Sequence, residues 1–166
     1  MTESLNPRVV LKIINRYFER MTDVIVEHEG TIDEFTGDGI LVFFGAPRLI
    51  RNHPTRAVTC ALAMQAAMNE LNRDNAASGL PHLKMGIGVN CGELVVGNIG
   101  GEKRKKYGAV GSPINVAFRV EAQTSAGEIL ITPTVYERLD NGFQIRESRT
   151  VALKGIVDPV TLYQLV

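Results

Sequence analysis

A Gly37-Asp38-Gly39 turn between two β-favouring runs is the feature that most restricts what this chain can fold into. An Asp-Gly pair flanked in this way is among the strongest short-range signals for an antiparallel hairpin. The flanks are Thr31 to Thr36 and Ile40 to Phe44. The second flank is apolar without a break, which predicts a strand buried on both faces.

Periodic segments surround this hairpin. From Pro7 onward, Val9, Val10, Ile13, Ile14, Tyr17, Phe18, Met21, Val24 and Ile25 recur at helical spacing, with Gly30 as the stop. A second amphipathic helix runs from about Thr55 to Asn72, with Ala57, Cys60, Ala61, Met64, Met68 and Leu71 on its buried stripe. Arg73 to Pro81 is a polar connection. Leu83 to Asn90 and Leu94 to Ile99 read as a second strand pair around Cys91-Gly92-Glu93. Ser112 and Pro113 supply an N-cap and a first-turn proline for a third helix to about Thr124. A strand Glu128 to Thr132, a short helix after Pro133 and strands near 143–149 and 160–165 complete the pattern. Helices interleaved with antiparallel hairpins predict one α+β domain over residues 1–166, helices packed on one ferredoxin-like sheet. Such a core begins with a strand, whereas this chain begins with a helix.

Composition narrows the function classes. Of 166 residues, 45% are hydrophobic and 22% charged, which supports a packed core. Eighteen basic residues balance eighteen acidic ones, so no overall field marks a nucleic-acid or membrane-surface binder. No apolar run approaches the roughly 20 residues that span a bilayer, and no signal peptide is legible. Cys60 and Cys91 form no disulfide framework, and a cytoplasmic setting is expected.

Phosphate-loop, nucleophile-elbow and HExxH signatures are absent from the sequence. His28, His53 and His82 stand apart and read as surface or core histidines. Lys103 to Lys106 reads as a solvated basic loop, and the glycines of 97–101 as turn residues. Asp38 by itself suits a tight turn. Asn115 and Arg119 stand at i and i+4 on the third helix, hence on one face; an amide beside a guanidinium suits a phosphate, though an exposed polar stripe has the same spacing.

The stretches "NRYFERM", "EHEGTIDEFTGDGILVFFGAP", "RAVTCALAMQAAMNELN", "MGIGVNCGELVVGNIG", "YGAVGSPINVAFRVEAQTSAGEILIT" and "VALKGIVDPVTLYQL", in this order, resemble the class III adenylate/guanylate cyclase catalytic domain. The resemblance implies a phosphorus–oxygen lyase that turns a purine nucleoside triphosphate into a 3′,5′-cyclic monophosphate and pyrophosphate. It implies two Mg²⁺ or Mn²⁺ ions per site, with Asp38 as one metal ligand. Asn115 would orient the ribose, Arg119 would stabilise the pentavalent transition state, and Lys154 would contact the triphosphate. The site would lie between two chains of a head-to-tail homodimer, with 92–101 as the dimer arm, and a sensor or regulatory domain would be fused or coupled in the full-length protein.

Two departures qualify what the resemblance implies. The family domain starts with a strand that carries a second metal-binding aspartate and is followed by a Phe-Thr segment; "TESLNP" resembles the helix after that segment. The chain as given is therefore expected to lack its first strand and to have little activity alone. Among the base-reading positions, Glu34 offers acceptors that suit guanine N1–H and N2–H₂, while Gly108 offers no side chain where a partner is usual. ATP and GTP both stay open at this point. The competing reading is a cyclase-like domain that has lost its chemistry and serves as a nucleotide-binding or regulatory dimerisation module.

Overall fold

The computed structural model describes residues 6–166. Its elements, in chain order, are α1 (Pro7–Glu27), β1 (Thr31–Thr36), β2 (Gly39–Phe43), α2 (His53–Ala77), β3 (Ile87–Val89), β4 (Val95–Gly101), β5 (Arg104–Val110), α3 (Ser112–Glu121), β6 (Ile129–Ile131), α4 (Pro133–Tyr136), β7 (Ile145–Val151) and β8 (Val160–Leu165).

Local chemistry accounts for the ends of α1. The Asn6 side chain accepts the Arg8 N–H at 2.9 Å, and Pro7 takes the first helical position, where no N–H is needed. Glu29 then turns left-handed (φ 63°), and the Gly30 N–H closes on the Ile25 carbonyl at 2.9 Å. Gly30 is also a packing necessity: a Cβ there would lie 2.8 Å from Ile25 Cγ2 and 3.0 Å from the Phe44 ring.

The expected α+β architecture is present, but the strands do not form a single sheet. Among the described residues they make a four-stranded sheet, β3-β6-β8-β7, and two separate hairpins, β1-β2 and β4-β5. The β3/β6 pair is parallel, joined by a crossover through α3; β6/β8 and β7/β8 are antiparallel. Helices cover both faces of the larger sheet. Ile129 and Ile131 of β6 pack with Val58 and Ala61 of α2 and Val135 of α4. Leu130 between them points the other way, onto Val120 of α3, Leu162 and Leu153. The strand buried on both faces is therefore β6.

The strand expected to be so, β2, is not. Of its run only Phe43 is buried; Ile40, Leu41, Val42 and Phe44 are half-buried. The reason is topological. Among the described residues β2 pairs with β1 alone, and its other side opens on a cleft of about 460 Å³ whose far wall is β3. Ile40, Val42, Met64, Ile87, Ile114 and Phe118 are among its lining side chains.

A second correction concerns the hairpin expected around Cys91-Gly92-Glu93. β3 does not pair with β4; it runs parallel to β6, and the side chain of Asn90 ties the connection down. Asn90 Oδ1 accepts the Thr132 hydroxyl at 2.8 Å, and its Nδ2 donates to the Pro113 carbonyl at 3.0 Å. The real hairpin is β4–β5, from Val95↔Val110 to Gly101↔Arg104, with Glu102-Lys103 as its two-residue turn. The run read as a solvated loop, Lys103 to Lys106, is thus mostly strand, and the projecting arm is 95–110 rather than 92–101. Glycine and lysine have poor strand propensity, so this pairing leaves little trace in the sequence.

Gly88 fixes how α3 lies on the sheet. A Cβ there would fall 2.3 Å from the Glu121 backbone nitrogen and 2.8 Å from the Ala117 carbonyl, so backbone meets backbone with no room to relax. Gly88→Ala is expected to lower unfolding free energy by about 1–3 kcal/mol, as overpacking does. Urea denaturation with an unchanged m-value checks this, and an unchanged midpoint would contradict the packing.

Candidate active site

The hairpin that carries Asp38 turns on Gly37-Asp38, one residue earlier than an Asp-Gly turn. Thr36 pairs with Gly39, and only Gly37 of the two central residues has positive φ (65°), the pattern of a II′ turn. Asp38 therefore occupies the second central position, exposed at the hairpin tip and on the rim of the cleft. Its charge is felt by Tyr17, which lies on the same cleft. Burial first, and the Asp38 carboxylate second, push the Tyr17 phenol from 10.0 up to about 12. The hydroxyl donates to Met85 Sδ at 3.6 Å.

Asn115 and Arg119 sit on α3, as the spacing predicts. The face that α3 turns to the cleft carries Ile114, Ala117, Phe118 and Glu121. Asn115 and Arg119 lie about 100° or more around the helix from Ile114 and do not line it. Arg119 meets a different neighbour: its guanidinium nitrogens lie 3.5 Å from where a Cβ of Gly155 would stand. The turn that follows Lys154 is thus packed against Arg119, and Gly155 adopts the left-handed backbone (φ 74°) that makes the turn possible. Among the described residues Arg119 makes no ion pair, and Asn115 and Lys154 are exposed without a side-chain hydrogen bond. Cations left unmatched beside a glycine turn form a surface suited to an anion.

A third group forms where β1 meets β5. Glu34 is exposed, and its Oε2 accepts from Lys106 Nζ at 3.2 Å. The same ammonium reaches Asp33 Oδ2 at 3.1 Å. Hydrogen bonds to Asp33 and then Glu34 hold the Lys106 ammonium above its ordinary range. Gly108 is buried beside them. Neither Asp33 nor Lys106 was legible as part of a site, because the contact joins positions 73 residues apart.

The expected residues therefore fall into three groups: Asp38 on the cleft, Asn115 with Arg119 and the Lys154 turn on another side of α3, and Glu34 with Gly108 at the β1/β5 contact. A single chain does not gather them into one pocket. The metal expectation is only partly met by side chains. Among the described residues no three His, Cys, Asp or Glu side chains stand together as a metal-binding group. Asp38 supplies a single carboxylate, which does not make a two-ion site by itself.

Comparison with known proteins identifies the scaffold. Residues 1–166 match the adenylate and guanylate cyclase catalytic domain. The chain belongs to this family. It is 49% identical to the guanylyl cyclase Cya2, whose crystal structure superposes with a TM-score of 0.95 over 99% of this chain and 83% of that one. It is 33% identical to the adenylyl cyclase CyaB from P. aeruginosa, with a TM-score of 0.92 over 99% and 86% of the two chains. Adenylate cyclase 1 of Rhizobium meliloti (strain 1021) is 30% identical over 168 residues, 100% of this chain and 25% of that protein. The chain thus spans about a quarter of the length of that relative. No helix among the described residues is long and apolar enough to cross a membrane.

The Tyr17 shift has a measurable consequence for this cyclase domain. A phenol whose folded pKa is raised stabilises the fold fully below pH 10.0, and that contribution is lost as pH climbs towards about 12. Unfolding free energy should fall over this window, and Tyr17→Phe should flatten the fall. An identical pH dependence in the two proteins would show that the shift is absent.

Proposed function

We propose that the chain is the catalytic domain of a nucleotidyl cyclase that converts a purine nucleoside triphosphate, preferentially GTP, to its 3′,5′-cyclic monophosphate. The ribose 3′-oxygen attacks the α-phosphorus. The bond from that phosphorus to the oxygen bridging the α- and β-phosphates breaks, pyrophosphate leaves, and the 3′-hydroxyl proton is released. In this reading Asn115 orients the ribose. Arg119, a planar and permanently charged donor, stabilises the charge that grows on the equatorial oxygens. Lys154 contacts the triphosphate from the adjoining turn, and Asp38 contributes one carboxylate to a Mg²⁺ or Mn²⁺ site. Family membership supports cyclase chemistry, and the residue roles are those that the resemblance implies for these positions.

The observation that carries the reading is the distribution of these groups over separate faces of one chain. It is what a site shared between two protomers requires, with Asp38 from one and Asn115, Arg119 and Lys154 from the other. An isologous pair would then hold two such sites. The base of the β4–β5 arm adds support: Val95 and Val110, cross-strand partners, are 77% and 56% exposed. An apolar pair at the foot of a projecting hairpin suits cover by a second copy.

The preference for GTP rests on Glu34. A carboxylate accepts from guanine N1–H and N2–H₂ and has no donor for adenine N1. Similarity to Cya2, described as a guanylyl cyclase, points the same way.

Complementation tests the shared site. In the natural full-length protein, Asp38→Ala and Arg119→Ala should each lower kcat by about 10²-fold or more. Random mixing of the two makes half the dimers mixed, each with one intact site of two, so about a quarter of wild-type activity should return. No recovery, with dimers present by sedimentation, would show that each chain builds its own site. Formation of cyclic nucleotide from neither GTP nor ATP by the wild-type protein would reject the reading.

A further inference from the structure

The β1 strand contains an irregularity whose chemistry goes beyond the base-reading pair. In the β1–β2 ladder Ile32 pairs with Val42 and Glu34 pairs with Leu41, so Asp33 is the extra residue of a bulge. In a regular strand Asp33 and Glu34 would point to opposite faces. The bulge re-aims one of them, and both carboxylates now reach the single ammonium of Lys106. Their environments differ sharply. The Asp33 side chain is 4% exposed, whereas those of Glu34 and Lys106 are 45% and 47% exposed.

Asp33 also holds β5 directly. Its Oδ1 accepts the Ala109 N–H at 3.0 Å. A Cβ on Gly108 would stand 2.5 Å from that same oxygen. The carboxylate therefore fills the space in which a side chain at 108 would begin. A side chain at 108 would have to displace that carboxylate.

The charge count gives this arrangement a role. Two carboxylates and one ammonium leave one net negative charge. Asp33 is buried and both its oxygens accept hydrogen bonds, whereas only Oε2 of the exposed Glu34 meets the shared ammonium, so Glu34 is the carboxylate with an acceptor left to offer. Without the Asp33 charge, the ammonium that now divides between the two carboxylates would pair with Glu34 alone and compete more strongly with a base for its oxygens.

We propose that Asp33 is a specificity-determining positioning residue: it serves as the buried counter-ion of Lys106 and so leaves Glu34 a charged acceptor for the N–H edge of a guanine base. This inference rests on the reading of Glu34 as a base-contacting residue. It assigns Asp33 no contact with the reacting atoms.

Steady-state kinetics of the natural full-length protein with GTP and with ATP test it. Asp33→Asn keeps the size and an acceptor for Ala109 N–H but removes the charge. The ratio of kcat/KM for GTP over ATP should fall about tenfold, chiefly through a higher KM for GTP. Lys106→Met should leave the ratio within about twofold, because Glu34 then has no competing cation. The double variant Asp33→Asn/Lys106→Met should recover the wild-type ratio. A purely structural ion pair would give equal losses from either single change and no recovery. An unchanged ratio in Asp33→Asn, or a failed recovery, overturns the proposal. Should Asp33→Asn not fold, a tenfold loss in Lys106→Met would overturn it alone. Glu34→Gln separates the two levels: if it leaves the ratio unchanged, the base-reading assignment of Glu34 fails, and if only Asp33→Asn is silent, the counter-ion role fails.

Discussion

The two halves of this domain are held together by the two-sided burial of α2. Among the described residues the β1-β2 hairpin shares no ladder with the four-stranded sheet, so no strand pairing joins them. Cys60, Met64, Met68 and Leu71 of α2 instead pack on Met21, Val24 and Ile25 of α1, with Ile40, Val42 and Phe44 of the hairpin against them. Val58 and Ala61 of the same helix pack on β6 and α4. Each large side chain so buried contributes about 1.5–3 kcal/mol, enough for one helix to bind both halves. The Arg16–Asp74 and Arg20–Glu70 pairs across α1 and α2 are exposed and add little by comparison.

On this frame the polar groups are placed by three local devices. A II′ turn presents Asp38 at a hairpin tip. The close approach at Gly88 sets α3, and hence the direction of Asn115 and Arg119. A bulge at Asp33 brings a buried charge to the β1/β5 contact. None of these forms a site alone. Together they set three unlike groups of side chains on separate parts of one chain.

Much of the fold was legible beforehand. Helical periodicity placed α1, α2 and α3 within a few residues, although α2 runs from His53 to Ala77, beyond the apolar stripe that marked it. The hairpin at Asp38 was legible because glycine at a turn has a specific stereochemical meaning. The pairing of β3 was not, since a parallel partner some forty residues away leaves no local signal, and a short apolar run followed by Gly92 imitates a hairpin. The β4–β5 arm was hidden for the opposite reason: its residues are glycines and lysines, and only cross-strand pairing makes them a ladder.

The sequence by itself determined the family, the chemical types available and their local settings: a carboxylate on a turn, an amide and a guanidinium one helical turn apart, a lysine before a glycine. These depend on side chains and nearest neighbours, which the order of residues specifies directly. Tertiary structure alone decided which groups share a neighbourhood. It packed the Lys154 turn on Arg119, left both off the cleft that Asp38 borders, and filled the space at Gly108 with the carboxylate of Asp33. Contacts of that kind depend on how distant segments cross, and a one-residue bulge is enough to redirect them.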